Sequence, residues 1–102
     1  MPKAQPTPWR LQQTVIRQIN WLAGPLAQQH VTAAQSLSVI FGLSGPQRFA
    51  LAAPFESTAR EWKGDAQVTG TACESLVTVG EAVSLVSKIA GFDGSWVVEA
   101  ST

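Results

Sequence analysis

The fold depends on residues 36–55, which read SLSVIFGLSGPQRFALAAPF. In the first half of this stretch, apolar side chains recur at every second position, at Leu37, Val39, Phe41 and Leu43. After a turn signal at Ser44-Gly45-Pro46, the same alternation returns at Phe49, Leu51, Ala53 and Phe55. Alternation with a period of two is typical of a strand with one buried face. The stretch therefore predicts an antiparallel hairpin.

Further strands are predicted on the C-terminal side of this hairpin. One covers residues 58–63, and a turn at Gly64-Asp65 leads from it to a short candidate strand at residues 66–69. A closing strand is predicted at residues 95–100, where Trp96 and other apolar side chains alternate with polar ones. Together these segments predict an antiparallel sheet of four to five strands.

Two helices are predicted to pack on one face of this sheet. An N-terminal amphipathic helix is indicated by apolar side chains at helical spacing, at Leu11, Val15, Ile19, Leu22 and Leu26. A second helix is predicted near residues 72–90, where Thr71 and Glu74 have the spacing of a capping box. The valines and threonines between residues 77 and 86 suit a strand as well, so that alternative stays open. The predicted fold class is α+β.

Length and composition indicate a single domain. The 102 residues, 45% of them apolar and 14% charged, predict one folded domain over residues 7–102 after a flexible tail at residues 1–6. A lone cysteine, Cys73, and an N-terminus that does not resemble a signal peptide favour a cytoplasmic location. Residues 76–92 are apolar but too short to span a bilayer and interrupted by Glu81 and Lys88.

Charges of opposite sign are segregated along the chain. Up to residue 55 there are four basic residues and no acidic one, whereas seven acidic and three basic residues follow. One interpretation is that the two halves neutralise each other within the domain. Another is that a basic face of one copy meets an acidic face of the next. The interface residues predicted on that basis are Arg10, Arg17, Glu56, Glu61 and Glu99.

The sequence contains little that could perform catalysis. Cys73 could act as a nucleophile only with His30, the single histidine, as its base, so an enzyme is not expected although a Cys73-dependent activity is not excluded. No spacing of His, Cys or acidic residues predicts a metal, and no glycine-rich loop predicts a nucleotide or other cofactor. Four dispersed basic residues are too few for nucleic acid. The four tryptophans, Trp9, Trp21, Trp62 and Trp96, are interpreted as core or interface side chains.

These observations predict a non-catalytic interaction module that acts as a homo-oligomer or as a small subunit of a larger assembly. A low charge content with ample apolar residues favours the same interpretation, because some apolar surface would be covered by a protein partner or a ligand.

Residues 61–71, EWKGDAQVTGT, followed by Leu76 and Val77, resemble the strand, acidic turn and helix entry of the sterol-carrier-protein family of lipid-binding domains. The predicted order of elements is similar too. This resemblance implies an apolar tunnel between a sheet and its helices that holds a fatty or isoprenoid chain, and no enzyme activity. The alternative function is thus the binding of a lipid or hydrophobic small molecule. The side chains that would line its pocket, or else form ordinary core, are Phe41, Phe49, Leu51, Leu76 and Val83.

Overall fold

Residues 5–97, the part of the chain that the computed structural model describes, fold mainly into helices. They are α1 (Trp9–Ala23), α2 (Gly45–Ala50), α3 (Ala52–Ala59), α4 (Gly70–Glu74) and α5 (Val79–Ile89), with a 3₁₀ turn at Gly24–Leu26. The predicted α+β class is therefore wrong. Within these residues, β-type pairing is limited to two isolated bridges, Gln5 with Phe92 and Ser36 with Thr78, and no sheet forms.

The first predicted strand, residues 36–43, is a series of turns. The amide of Leu43 donates to the carbonyl of Leu37 (2.9 Å), so the segment folds back on itself. Gly42 has a φ of +65°, a left-handed conformation that glycine adopts without strain and that interrupts an extended path. Leu37, Phe41 and Leu43 are nevertheless buried. Val39, the fourth alternating position, is 77% exposed, so the alternation matched three buried positions, which a compact loop provides as well as a strand does.

The second predicted strand, residues 47–55, is helical because its start is capped. The Ser44 hydroxyl accepts from the Gln47 amide, and the Gln47 side-chain oxygen accepts from the Ser44 amide, at 2.9 Å. This reciprocal capping box starts α2 at the place that predicted a hairpin turn. Leu51 and Phe55, both buried, are four residues apart and share a face of a helix as readily as a face of a strand. Alanines between them favour the helix.

The other predicted strands are not formed either. At residues 58–63, α3 ends and a turn follows, in which the amide of Lys63 donates to the carbonyl of Ala59 (2.9 Å). Residues 66–69 and 95–97 have no regular secondary structure. Residues 98–100 of the predicted closing strand lie outside the described part of the chain.

The predicted helix near residues 72–90 is two helices, α4 and α5. Thr69 caps α4, not Thr71, and its hydroxyl accepts from the amide three residues further on at 3.2 Å. Thr78 caps α5 by accepting from the amide of Glu81 (3.2 Å). The second cap interrupts the apolar run and starts a new helix with its own direction.

The helices pack around one core. α1 packs against α3 and α5, while α2 packs against α4. The largest fully buried side chains are Phe41 and Phe55. Around them lie buried aliphatic side chains from α1, from α5 and from the junction of α2 with α3: Leu11, Val15, Ile19, Val79, Val83, Val86 and Leu51. This burial explains why the valine-rich segment is a helix, because tertiary packing outweighs the small helix-forming penalty of β-branched residues.

A long loop, residues 27–43, is held against the start of α5. The amide of Val79 donates to Gln35 O (3.0 Å) and that of Gly80 to Ala33 O (2.9 Å), so the loop satisfies two first-turn amides that lack partners inside the helix. The contact is close enough that a Cβ on Gly80 would lie 3.0 Å from the Ala33 carbonyl oxygen. Glycine is thus required by the approach of another backbone.

Both ends of the described chain are attached to helices. The hydroxyls of Thr7 and Ser87 are hydrogen-bonded at 2.6 Å, which ties the residues before α1 to α5. At the other end, residues 93–97 reach α1, where the buried amide of Gln12 binds the backbone of Val97. These polar contacts fix the course of segments that have no secondary structure of their own.

The longest helix of residues 5–97, α1, has 15 residues. A membrane-spanning helix needs about 20 predominantly apolar residues. None of the described helices is therefore long and apolar enough to cross a bilayer.

Candidate protein-interaction groove

A tryptophan stands exposed near the end of α1. Trp21 is 82% exposed, more than any other large apolar side chain in residues 5–97. It borders an open groove of about 460 Å³ between α1 and the junction of α2 with α3. This groove, called the Trp21 groove below, is lined by Arg17, Gln18, Trp21, Leu22, Ala50, Leu51 and Pro54. Its surface is mainly apolar and faces solvent.

The groove follows from the side-chain sizes on its two walls. On α1, Arg17 and Trp21 are one helical turn apart, so both project along the same edge. On the opposite wall, α2 ends at Ala50 and α3 begins two residues later, and Pro54 lies in the first turn of α3. Alanine and proline are short, so this wall is low and leaves space beside the indole. The geometry presents a large aromatic side chain next to an apolar depression.

Two partly buried hydrogen bonds connect the two walls. Nε2 of Gln18, on α1, donates to the carbonyl of Pro54 (3.1 Å) and to Oγ1 of Thr58 (2.8 Å), both on α3. Within the described residues, Oε1 of Gln18 is buried without a hydrogen-bond partner. The α1–α3 spacing is therefore fixed by polar contacts as well as by packing, and the groove does not depend on its occupant for its shape.

Arg17 gives the groove a positive charge. The residues that line it include no acid, and Arg17 is the charged one among them. Its side chain is exposed, and no ion pair with it forms within residues 5–97. The Trp21 groove therefore combines an apolar floor with an unneutralised guanidinium at its edge.

The structure places the predicted interface residues in different surroundings. Arg10 forms an ion pair with Glu61 of the same chain at 2.8 Å, and its guanidinium lies over the Trp62 ring, 5.8 Å from the centroid. Both partners of the ion pair are exposed, so it adds little to stability. This contact joins the basic half of the sequence to the acidic half within one domain.

Of the other predicted interface acids, Glu56 does not line the Trp21 groove. Glu56 accepts from the amide of Val68 (3.0 Å) and pairs with Arg60 (3.6 Å), so it serves its own chain. Glu99 lies outside the described residues. Arg17 is the predicted interface residue that lines the groove.

Four of the five residues predicted to line a lipid pocket are buried in the core, and the fifth, Phe49, lies at the surface. Phe41, Leu51, Leu76 and Val83 belong to the buried core, where they pack with the other apolar side chains. Phe49 is half exposed, and its ring covers Gly70 so closely that a Cβ there would clash with it. The sheet that the sterol-carrier resemblance requires on one side of the tunnel is not formed by residues 5–97.

The single cysteine of the chain is Cys73. Cys73 is fully buried, and burial raises the pKa of its thiol to about 11, so the thiol is protonated at neutral pH. No hydrogen bond joins Cys73 to His30 in the described structure; His30 is exposed and lines a different groove. In the same residues, no group of three or more His, Cys, Asp or Glu side chains is placed to hold a metal ion.

A second, more polar groove of about 580 Å³ lies along the other side of α1. Amide and indole side chains contribute most of its lining, among them Trp9, Gln13, Asn20 and Trp96. Its far wall is the segment that Gln12 holds in place. Arg17 borders both grooves, so α1 separates an apolar groove from a polar one.

Sequence reasoning did not single out Trp21, although one signal was present. The polar face of the N-terminal helix contains Arg10 and Arg17, and Trp21 follows Arg17 by four residues on that same face. A large apolar residue on the polar face of a helix faces away from the core, so this spacing marks Trp21 as exposed. No protein-family model, curated protein or solved structure matches this chain.

Proposed function

We propose that this chain is a non-catalytic interaction module that binds a protein partner through the Trp21 groove. The observation that carries the proposal is the position of Trp21, 82% exposed beside an apolar groove. Tryptophan and arginine are enriched at the residues that dominate protein interfaces, and here Trp21 and Arg17 are adjacent on one helix face.

A partner that covers Trp21 would gain binding free energy. Trp21 exposes an apolar surface whose removal from water is favourable by roughly 25 cal/mol per Å². A tryptophan that becomes buried in an interface typically costs about 2 kcal/mol or more of binding free energy when it is truncated. Leu22, Ala50 and Pro54 surround it with further apolar surface, which supplies the pocket that such an anchor needs.

The walls of the groove are already connected without a partner. Gln18 joins α1 to α3 through hydrogen bonds to Pro54 and Thr58, so binding does not require the entropy loss of ordering the groove. The partner is either a second copy of the chain, giving a homo-oligomer, or another subunit of a larger assembly. Light scattering over a range of protein concentrations distinguishes the two, because only self-association raises the mass of the purified chain.

Site-specific photo-crosslinking in cells tests the proposal. Trp21 is replaced by benzoylphenylalanine, which keeps an aromatic group at the edge of the groove. The matched control carries the same group at Gln67, an exposed residue outside the groove lining. We expect a crosslinked product of defined mass from position 21 and not from position 67. The absence of a product specific to position 21 would refute the proposed function.

A further inference from the structure

We infer that the Trp21 groove binds a second copy of this chain, which presents Glu81 and Leu85 of its α5 to Arg17 and Trp21. This inference rests on the proposed function, because it names the partner that the same groove would bind. It depends on the match in charge and in spacing between the groove and the exposed face of α5.

The exposed face of α5 begins with apolar and acidic side chains. Val77, just before the helix, is 58% exposed. Glu81 is exposed and Leu85 is partly exposed, and they follow at intervals of one helical turn. These three residues, called the α5 patch below, do not line the Trp21 groove. One chain therefore offers two different surfaces, a groove with a positive charge and a patch with a negative one.

The carboxylate of Glu81 can accept a further cation. Its oxygens accept from the amide of Val77 and from the hydroxyl of Thr78, both at 3.4 Å, which leaves acceptor positions free. In the described part of the chain, Glu81 forms no ion pair, whereas Glu56 and Glu61 each pair with an arginine of their own chain. Glu81 therefore has the charge that the groove lacks and remains accessible to a partner.

The two surfaces match in spacing as well as in charge. Arg17 and Trp21 are four residues apart on α1, and Glu81 and Leu85 are four residues apart on α5. When α5 of one copy packs beside α1 of another in the same direction, with the axes about 8–10 Å apart, the guanidinium meets the carboxylate and the indole meets the leucine. Arg17 then loses water but gains a carboxylate, which no residue of the groove lining supplies.

The charge of the whole chain is compatible with self-association. Its formal net charge is zero at pH 7, so two copies do not repel each other at long range. A two-fold pairing of α1 with α1 would bring two Arg17 side chains together, because α1 contains no acidic residue. The contact is therefore one between unlike surfaces, with the Trp21 groove of one copy against the α5 patch of the other.

A charge-swap experiment tests this inference. Arg17→Glu leaves the α5 patch intact and Glu81→Arg leaves the groove intact, so each variant keeps one of the two complementary surfaces. Light scattering at low salt measures self-association, which we expect to be about tenfold or more weaker in each variant alone. An equimolar mixture should restore it, because Glu81 of the first variant meets Arg17 of the second. Lys63→Glu, at an exposed site outside both surfaces, should leave it unchanged.

A second variant separates loss of the contact from loss of the fold. Glu81→Gln keeps an acceptor for Val77 and Thr78, so it removes the charge without disturbing the start of α5. It should weaken self-association while circular dichroism shows an unchanged helical spectrum. Unchanged self-association in a folded Glu81→Gln or Arg17→Glu variant would overturn the inference, and so would a mixture of the swapped variants that stays monomeric.

The outcomes separate this inference from the proposed function. A wild-type chain that stays monomeric at every concentration overturns the second copy as the partner. The crosslinking at position 21 then decides about the groove. A product with the mass of two chains supports the second copy. A product with another protein overturns this inference and leaves the proposed function standing, whereas the absence of any product specific to position 21 refutes the proposed function itself.

Discussion

The side-chain amide of Gln12 and the backbone of Val97 exchange two hydrogen bonds. Nε2 of Gln12 donates to the carbonyl of Val97 at 2.8 Å, and the amide of Val97 donates to Oε1 of Gln12 at 2.7 Å. Gln12 is only 1% exposed, although it lies in an amphipathic helix one position after a core leucine. The side chain of Gln12 thus supplies the two backbone hydrogen bonds that a neighbouring strand would supply in a sheet. These bonds hold residues 93–97 against α1.

Replacing Gln12 with alanine should therefore destabilise the domain. Both hydrogen bonds are lost and the peptide groups of Val97 lose their partners, so we expect the free energy of unfolding to fall by about 1–3 kcal/mol. Urea denaturation followed by circular dichroism measures it. The matched control is Gln13→Ala, which removes a half-buried neighbour with no side-chain hydrogen bond in the described structure and should change stability by less than about 0.5 kcal/mol. Similar losses for the two variants would show that the hydrogen-bonded pair contributes no more to stability than the side chain of Gln13.

The buried hydroxyl pair of Thr7 and Ser87 should behave as a coupled unit. Thr7→Val and Ser87→Ala each leave one buried hydroxyl without its partner at 2.6 Å, so we expect each to cost about 1–3 kcal/mol. The double variant should cost less than the sum, because no unsatisfied hydroxyl remains. Urea denaturation of all four proteins gives the coupling free energy. Strict additivity would contradict the hydrogen bond.

Gly80→Ala should be destabilising even though alanine is the better helix former. A Cβ at this position would lie 2.9 Å from the Ala33 Cβ and 3.0 Å from the Ala33 carbonyl oxygen. The helix gains about 1 kcal/mol from alanine, but loop 27–43 must move away from α5. We expect a net loss of about 1–2 kcal/mol in thermal or urea unfolding. Gly64→Ala meets no atom within 4 Å and serves as the control, with no loss expected.

Stability should fall at alkaline pH through Cys73. Burial raises the pKa of the folded thiol from 9.0 to about 11, so between these values the folded protein keeps a proton that the unfolded chain releases. The free energy of unfolding is therefore unaffected by this thiol below pH 9 and decreases as the pH rises from 9 to 11. Urea denaturation across this range should show a smaller decrease for Cys73→Ala. Parallel pH profiles for the two proteins would contradict the raised pKa.

Local sequence signals predicted some helical elements correctly and misassigned others. The apolar spacing from Leu11 to Ile19 indicated the buried face of α1, which is long enough for a period of 3.6 to be distinguished from a period of 2. The segment from residue 47 to residue 55 was too short for that distinction. Its buried side chains, Leu51 and Phe55, satisfy both periods, and the capping by Ser44 decided for the helix.

The candidate site was less predictable than the helices. The charge pattern drew attention to Arg10 and Arg17 together, but only Arg17 lines the groove, because Arg10 meets Glu61 across the fold. Their separation depends on how α1 packs against residues 51 positions further along the chain. Spacing along one helix carries no information on such a contact.

The amphipathic character of α1 was determined by the sequence itself, because its apolar side chains recur at helical spacing and the hydrophobic effect places that stripe in the core. Whether a buried position lies on a strand, a helix or a loop was decided by tertiary structure, through caps such as Ser44 and Thr78 and through packing on the shared core. The Trp21 groove also exists only in the fold. It forms because Ala50 and Pro54, remote in sequence from Trp21, are too short to cover the indole once Gln18 has fixed α1 to α3.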